Sequence, residues 1–388
     1  MTHTPLELAE AVLPTLAGHA AEADRRSEFP RRSLAALRAN GLMGLLVPRE
    51  YGGLGGRLPD LVAVAQRLST ACLSTGLIWA MHCQQVAVLA RFASADLAAA
   101  LLPRIARGEL YLASVTTEPG KGGHLMTGVA ALADRDGTLL FEREAPVVTG
   151  GEYAEGFLIT MRASEQARDN QLTLVYADRA QLDITHRGEW DAMGMRGTRS
   201  VSMALRAAVP DEQVVGEPGG FREIAVEVMA PYGHLAWASC WLGAATGALR
   251  DFVALVRSPR CPPSFDIRSD LVRERLARTR IDLEVTSAYL HRVCEEVAEL
   301  SAASQSLDNP ATQVHLNTLK VVAAEHTFDA VDRLVQLAGM SIGYRRGAVI
   351  PLERHFRDLR SASLNYADDR LLVATGALCV LDRAVRLA

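Results

Sequence analysis

The sequence has few lysines, few aromatic residues and no marked excess of either charge. Lysine occurs only at Lys121 and Lys320, so arginine supplies 39 of the 41 basic residues, and aromatic residues make up 5% of the chain. With 45 acidic residues the formal net charge is -4, which is too small to gather a phosphate polymer. The composition therefore argues against a nucleic-acid-binding protein, and a hydrophobic content of 49% predicts a globular fold.

Paired cysteines and long apolar runs are also missing. The six cysteines are scattered without a C-x-x-C motif or the spacing of metal ligands, which predicts reduced thiols and no metal site. The first residues include Glu7 and Glu10 and lack the basic-then-apolar order of a signal peptide. The uncharged run Leu235–Leu249 has 15 residues, fewer than the roughly 20 needed to cross a bilayer. We therefore expect a cytoplasmic protein without a membrane-spanning segment.

The pattern of apolar residues divides the chain into three parts. From residue 1 to 111 apolar side chains recur at helical spacing, whereas residues 112–220 contain alternating strand patterns and the hairpin signal Asp136-Gly137. Residues 221–388 return to helical spacing in four long segments, which indicates an antiparallel bundle. A chain of 388 residues also exceeds what one hydrophobic core usually serves. The sequence therefore predicts an α+β protein, mainly α, with helical, β and helical domains in that order.

Two glycine-rich blocks invite a phosphate-binding interpretation. Val47–Gly56 lacks the lysine spacing of a Walker loop and is not a G-x-G-x-x-G after a strand, so we interpret it as a tight structural loop. In Ala113–His124, consecutive glycines expose N–H groups that can converge on an anion, and Lys121 adds a positive charge beside them. An ordinary connection between a strand and a turn explains the second block equally well.

Six blocks, taken in order, resemble the acyl-CoA dehydrogenase superfamily of flavoproteins over essentially the whole chain. The blocks are Phe29-Pro30 with Val47–Gly56, Thr117-Glu-Pro-x-x-Gly122, Met193-Gly-x-Arg-Gly-Thr198, Val209-Pro-x-x-x-Val-x-Gly216, Gln336 with Gly339, and Phe356-Arg-Asp358. The resemblance implies an N-terminal helical domain, a middle β-barrel domain and a C-terminal four-helix bundle.

The same resemblance implies that FAD lies between the β domain and the bundle. Backbone groups at Thr116 and Thr117 match the family positions that meet the pyrimidine edge of the flavin. Gly122 and Gly123 match the loop at the pyrophosphate, although a serine is usual where Gly123 stands. Thr149 matches the position close to flavin N5.

In this family a neighbouring subunit also touches the cofactor. Arg257 is the candidate for an arginine after the first bundle helix, with Arg260 as a competitor. Gln336, Gly339 and Met340 match the Q-x-x-G loop that reaches the same cofactor. The resemblance therefore implies a homotetramer or homodimer in which assembly is needed for cofactor retention.

The position of the catalytic base is the main departure from the family. Removal of an α-proton from a thioester needs a base, and a carboxylate is the natural one. The family's usual glutamate position is occupied here by Tyr366, and the alternative position on the first bundle helix by Gly233 and then His234. Asp368 and Asp369 are the nearest carboxylates, and either can be the base or a first-turn acid of a helix. The Tyr366 phenol is the third candidate for the base, if Arg360 or Arg370 lowers its pKa.

The expected activity is FAD-dependent α,β-dehydrogenation of an acyl thioester carried on CoA or on an acyl-carrier protein, with a flavoprotein or oxygen as electron acceptor. The main alternative is a monooxygenase that takes reduced flavin from a partner reductase, needs no α-proton base and fits the departures at Val147 and Tyr366. A catalytically inactive structural subunit is the third hypothesis. His82 is either a polar contact for substrate or a hydrogen-bonded core residue.

Overall fold

The N-terminal part of the protein is helical. The computed structural model describes residues 3–120, 124–261 and 265–388. A capping box begins the first helix, because the Thr4 hydroxyl accepts from the Glu7 N–H and the Glu7 carboxylate accepts from the Thr4 N–H. The helices of this part are α1 (Pro5–Arg26), α2 (Arg31–Ala39), α3 (Leu58–Ser69), α4 (Leu73–Phe92) and α5 (Ala95–Ala106). Most residues of α4 are buried, since this helix packs against its neighbours and against the C-terminal part.

The middle part consists of two four-stranded sheets. The strands are β1 (Leu112–Val115), β2 (Ala133–Arg135), β3 (Thr138–Val148), β4 (Gly156–Arg162), β5 (Leu172–Asp178), β6 (Leu182–Arg187), β7 (Val201–Pro210) and β8 (Val214–Val215). The sheet orders are β1-β4-β5-β8 and β2-β3-β7-β6, and only the β1-β4 pair of these named strands is parallel. Asp136 and Gly137 join β2 to β3 with positive φ angles of 50° and 82°, which confirms the predicted hairpin.

The C-terminal part is a helical bundle. Its helices are α6 (Phe221–Ile224), α7 (Ala230–Val256), α8 (Asp270–Ala302), α9 (Pro310–Gly339), α10 (Leu352–Leu359) and α11 (Asp368–Cys379). A π-helical turn, Ala225–Met229, joins α6 to α7. Helix α9 packs against α7, α8, α10 and α11, so it lies at the centre of this part. In the part of the chain that the structure describes, no helix combines the length and apolar character needed to span a membrane.

The glycine-rich loop Val47–Gly56 packs too tightly for larger residues. A Cβ on Gly53 would lie 2.1 Å from the Val47 carbonyl oxygen, and one on Gly56 would lie 2.9 Å from that of Leu45. Such distances are well below ordinary van der Waals contact. The glycines are therefore explained by backbone packing, in agreement with the structural interpretation of this block.

Candidate active site

The end of β1 is fixed to the end of β3 by Thr117. Its hydroxyl donates to the Val147 carbonyl at 2.9 Å, and Thr116 lies beside it, half-buried. The buried Arg143 guanidinium donates to the Thr117 carbonyl at 3.1 Å and forms an ion pair with Glu118. A buried charge pair thus holds the peptide group of Thr117, one of the two residues that the family resemblance assigns to the flavin pyrimidine edge.

The predicted phosphate loop follows Glu118. Gly122 and Gly123 lie outside the described residues. Beyond them, the N–H groups of Val129 and Ala130 each donate to the Glu118 carboxylate at 2.8 Å. Glu118 therefore connects both ends of the loop, and the pyrophosphate contact stays a prediction.

Thr149 lies at the start of a chain of hydroxyl groups. Its hydroxyl is 3.1 Å from that of Ser200, which is 2.8 Å from that of Thr198. The Thr198 hydroxyl donates to the Met195 carbonyl at 2.8 Å, and the Thr149 carbonyl accepts from the Tyr111 hydroxyl at 3.0 Å. These bonds hold Thr149 from both its side chain and its backbone, and its contact with the flavin stays a prediction.

Two of the blocks behind the family resemblance meet in space. The Met195 N–H donates to the Asp358 carboxylate at 2.6 Å, and Arg357 donates to the Met193 carbonyl at 2.9 Å. A Cβ on Gly194 would lie only 2.0 Å from the Arg357 carbonyl oxygen, so no larger residue fits there. Burial raises the pKa of Asp358 to about 6. The loop that holds Thr149 is thereby docked on α10, shortly before the predicted base positions.

Asp368 is buried in an ion pair rather than free. The Lys320 ammonium donates to the Asp368 carboxylate at 2.5 Å and to the Ala362 carbonyl at 2.9 Å. Burial raises the pKa of Asp368 and lowers that of Lys320, and the pairing opposes both effects. Asp369 is exposed on the first turn of α11. The role of either aspartate as base stays a prediction, and the lysine already occupies the Asp368 carboxylate.

Tyr366 and His234 lie together at the two family base positions. Their ring centroids are 6.1 Å apart, and the Trp237 ring centroid lies 5.9 Å from that of His234. Burial lowers the pKa of His234 to about 4 and raises that of Tyr366. Both side chains are therefore uncharged near pH 7. Among the described residues, the site holds an imidazole and a phenol where the family has a carboxylate.

The residues expected to reach a neighbouring subunit lie on the surface. Arg257 is exposed at the end of α7, and Gln336 is exposed near the end of α9, where its amide donates to Asp332 at 2.6 Å. Gly339 has a φ of 64° with nothing within 4 Å of an added Cβ, and Met340 is 74% exposed. Contact with a second subunit stays a prediction.

His82 is a hydrogen-bonded core residue. Its Nε2 lies 3.0 Å from the Met43 carbonyl, and its Nδ1 accepts from the Leu112 N–H at 3.1 Å. Burial lowers its pKa to about 4, so a single neutral tautomer satisfies both contacts. His82 thus positions the start of β1, and these contacts account for both ring nitrogens without a substrate.

Sequence reasoning missed Lys320 and Arg143. Lys320 stands between Leu319 and Val321 in a helix, and a rare lysine on an apolar face is a signal that it has a buried partner. Arg143 gives no such signal, because it is one of many arginines in a strand that alternates buried and exposed residues.

Family comparisons agree with this architecture. Residues 7–109 match the acyl-CoA dehydrogenase N-terminal domain, and residues 235–366 match the acyl-CoA dehydrogenase C-terminal domain. The chain belongs to the acyl-CoA dehydrogenase superfamily of flavoproteins. The predicted fold class is confirmed, since butyryl-CoA dehydrogenase from Megasphaera elsdenii superposes with a TM-score of 0.85 at 20% identity, covering 97% of each chain.

Relatives within this superfamily catalyse different reactions. The probable FMNH2-dependent monooxygenase SfnC of Pseudomonas putida is 23% identical over 98% of this chain and 97% of its own. A short-chain-specific acyl-CoA dehydrogenase from Clostridium acetobutylicum is 24% identical over 88% of this chain and 87% of its own. The chain matches 60% of the length of dibenzothiophene monooxygenase from Rhodococcus qingshengii, at 25% identity. FMN-bound TdsC from Paenibacillus sp. A11-2 has a TM-score of 0.85 at 21% identity, covering 98% of each chain.

Proposed function

We propose that the protein is a flavin-dependent monooxygenase that receives reduced flavin from a partner reductase. The observation that carries this proposal is the state of the candidate base: Asp368 is ion-paired with Lys320, and the family base position holds Tyr366. An oxygenase needs no residue that removes an α-proton. The structure therefore favours the alternative from the sequence over the thioester dehydrogenase that the sequence placed first.

The flavin would supply the electrons of this reaction: with the reduced flavin as donor of two electrons, one atom of O2 enters the substrate and the other leaves as water. The protein's own task is to hold the substrate and exclude bulk water. Neutral Tyr366 and His234 suit that task, because neither brings an unpaired charge into the buried site.

The residues at the strand ends fit a flat cofactor. The Val147 carbonyl accepts from Thr117, and Val147 lies two residues before Thr149 and is 41% exposed. The apolar Val147 side chain can contact the face of a planar ring, and the two hydrogen-bonded threonines can contact the polar edges of that ring. We expect Thr116, Thr117 and Thr149 to hold the isoalloxazine, and we expect FAD, with FMN as the alternative that titration of both flavins would reveal.

Thioester dehydrogenation is the second candidate, and one observation favours it. Burial raises the pKa of Asp368, so the carboxylate would be a stronger base if it left Lys320. Asp368 would then remove the α-proton while the β-hydride left for the flavin.

The two candidates differ in what reduces the flavin. Anaerobic mixing of the oxidised holoenzyme with butyryl-CoA and longer acyl-CoA esters should leave the flavin absorbance unchanged. Reduced flavin and isotopically labelled O2 should give a labelled product from a panel of phenol, indole and dibenzothiophene, detected by mass spectrometry. Bleaching of the flavin by a thioester, lost in Asp368→Asn but kept in Asp369→Asn, would establish the dehydrogenase instead.

A further inference from the structure

We infer that a cavity between α1, α3, α7 and α10, called here the α10 cavity, binds a short aliphatic carboxylate. The carboxylate of this ligand pairs with Arg354 and accepts from the His355 imidazole, and its alkyl chain packs against α1. No described residue that the sequence assigns to the flavin lines this cavity. The inference therefore does not depend on the proposed function.

The α10 cavity lies where α1 and the end of α3 meet α7 and α10. Its volume is about 360 Å³, within the range of sites for small molecules. Helix α1 supplies an apolar wall of Leu13, Pro14 and Ala17. The Thr70 hydroxyl, also in the lining, already donates to the Arg67 carbonyl at 2.8 Å. The cavity therefore combines one apolar wall with the charged side chains of α7 and α10.

The charged side chains of the cavity leave a positive excess. Arg250 and Arg354 line it, against the one carboxylate of Asp251. This carboxylate is already engaged, since it accepts from the Arg250 guanidinium at 3.2 Å. Arg354 makes no hydrogen bond or ion pair with a described residue, because Asp358, one turn along α10, accepts from the Met195 N–H instead. Two arginines against one aspartate give the lining a net positive charge, which favours an anionic ligand.

His355 is a buried histidine whose ring has no hydrogen-bond partner. It is 3% exposed and lines the cavity, and neither ring nitrogen bonds to a described residue. Burial lowers its pKa to about 3, with Arg354 and Arg250 acting in the same direction, so the imidazole is neutral and has one N–H donor. Buried donors in native proteins are nearly always paired. An anionic oxygen satisfies this donor and the unpaired Arg354 guanidinium together.

The charge and the walls of the cavity select a carboxylate as the anion. A phosphate monoester brings nearly two negative charges at neutral pH, which is more than one unpaired guanidinium compensates. A carboxylate brings one charge and accepts two parallel hydrogen bonds from a guanidinium. None of the described lining residues is Phe, Tyr or Trp, whereas α1 offers an aliphatic wall. An alkyl chain therefore fits this wall better than a ring that needs aromatic stacking.

Butyrate tests the charge and the apolar wall together. It would be titrated into the flavin-loaded protein in chloride buffer, with binding measured by isothermal titration calorimetry and with butyramide and inorganic phosphate as comparison ligands. We expect one butyrate per chain and about tenfold weaker binding of butyramide, which keeps the alkyl chain but lacks the charge. The absence of saturable butyrate binding, equal binding of butyrate and butyramide, or tighter binding of phosphate would each overturn the inference.

Two variants with opposite effects assign butyrate to this cavity. Arg354→Met removes the unpaired cation and should weaken butyrate binding about tenfold, whereas Asp251→Asn removes the carboxylate of the lining and should tighten it. Arg280→Met, at an exposed arginine of α8, is the matched control and should leave butyrate binding unchanged. If Arg354→Met binds butyrate as tightly as the parent protein, or if Asp251→Asn binds it more weakly, the inference is wrong.

His355 has a separate test. His355→Gln keeps an N–H donor, so it should bind butyrate more tightly than His355→Leu, which has none. Equal binding by these two variants would show that the imidazole does not donate to the ligand. Where either variant fails to fold, the opposite effects expected of Arg354→Met and Asp251→Asn still decide the inference.

Discussion

Asp358 is a carboxylate that folding removes from water. It lies under the Met195–Thr198 turn and accepts from the Met195 N–H, the bond that docks this loop on α10. Burial raises its pKa to about 6, against the Met195 bond and the nearby Arg354, which lower it. The value in an unfolded chain is about 3.9, so the folded state favours the protonated form of this residue.

The first prediction concerns the pH dependence of stability at Asp358. Because its folded pKa is raised, its contribution to stability is fully present below pH 4 and is lost as the pH rises through about 6. Asp358→Asn keeps the acceptor oxygen and removes the charge. We therefore expect the Tm of the variant relative to the parent to increase between pH 4 and pH 7, measured by differential scanning calorimetry. A difference that does not change with pH would show that Asp358 does not titrate in this range.

At the scale of helices, the Lys320–Asp368 pair joins α9 to the start of α11. The ammonium makes two hydrogen bonds and lies 5.5 Å from the Trp241 ring centroid, so the bond fixes α11 against the centre of the bundle. Removing one partner of a buried pair leaves an uncompensated charge, whereas replacing both with apolar residues is often neutral.

The second prediction follows from that asymmetry. Lys320→Met should lower the free energy of unfolding by about 3–5 kcal/mol, and the double variant Lys320→Met with Asp368→Leu should recover most of the loss. Urea unfolding followed by circular dichroism measures both. The exposed i, i+4 pair Arg280–Glu284 of α8 is the control, and Arg280→Met should have little effect. If the double variant is no more stable than Lys320→Met, the pair does not act as a unit.

Local sequence patterns predicted the secondary-structure elements better than they predicted the contacts between those elements. The hairpin at Asp136 was predictable because a two-residue turn is encoded in adjacent residues. The sequence predicted that the last of the four bundle segments is one long helix. In the structure this segment is divided into α10 and the short helix α11, which begins at Asp368. The parallel pairing of β1 with β4 could not be predicted, because no neighbouring residues specify which distant strand lies alongside.

The same distinction applies to the candidate site. Thr117 and Thr149 were identified through motifs, but the bonds that fix them, to Val147 and Ser200, depend on contacts between different strands. The ion pair of Asp368 spans 48 residues, and a sequence pattern gives no indication of such a partner. Motifs therefore predicted the candidate site, whereas the ion pair of the candidate base could be seen only in the fold.

For the whole molecule, the C-terminal end presents an apolar surface. On α11, Leu372 is 52% exposed and Val373 is 76% exposed, and Gly376 has nothing within 4 Å of an added Cβ. Exposed apolar residues follow the helix at Val380 and Leu381. Exposed apolar side chains concentrated in one segment are typical of an interaction site. We expect this surface to contact a second copy of the chain.

The third prediction links assembly to the flavin. The residues expected to cross the subunit boundary, Arg257 and Gln336, are exposed, so in a monomer they would not reach the flavin of a neighbouring chain. Val373→Glu places a charge in the apolar surface, and it should shift the protein from dimer or tetramer to monomer in sedimentation velocity. The monomer should lose bound flavin on gel filtration, whereas Leu6→Glu, on an exposed position of α1, should keep both assembly and flavin. A parent protein that sediments as a monomer and retains its flavin would show that one chain completes the cofactor site, and Arg257 and Gln336 would then have no role across a boundary.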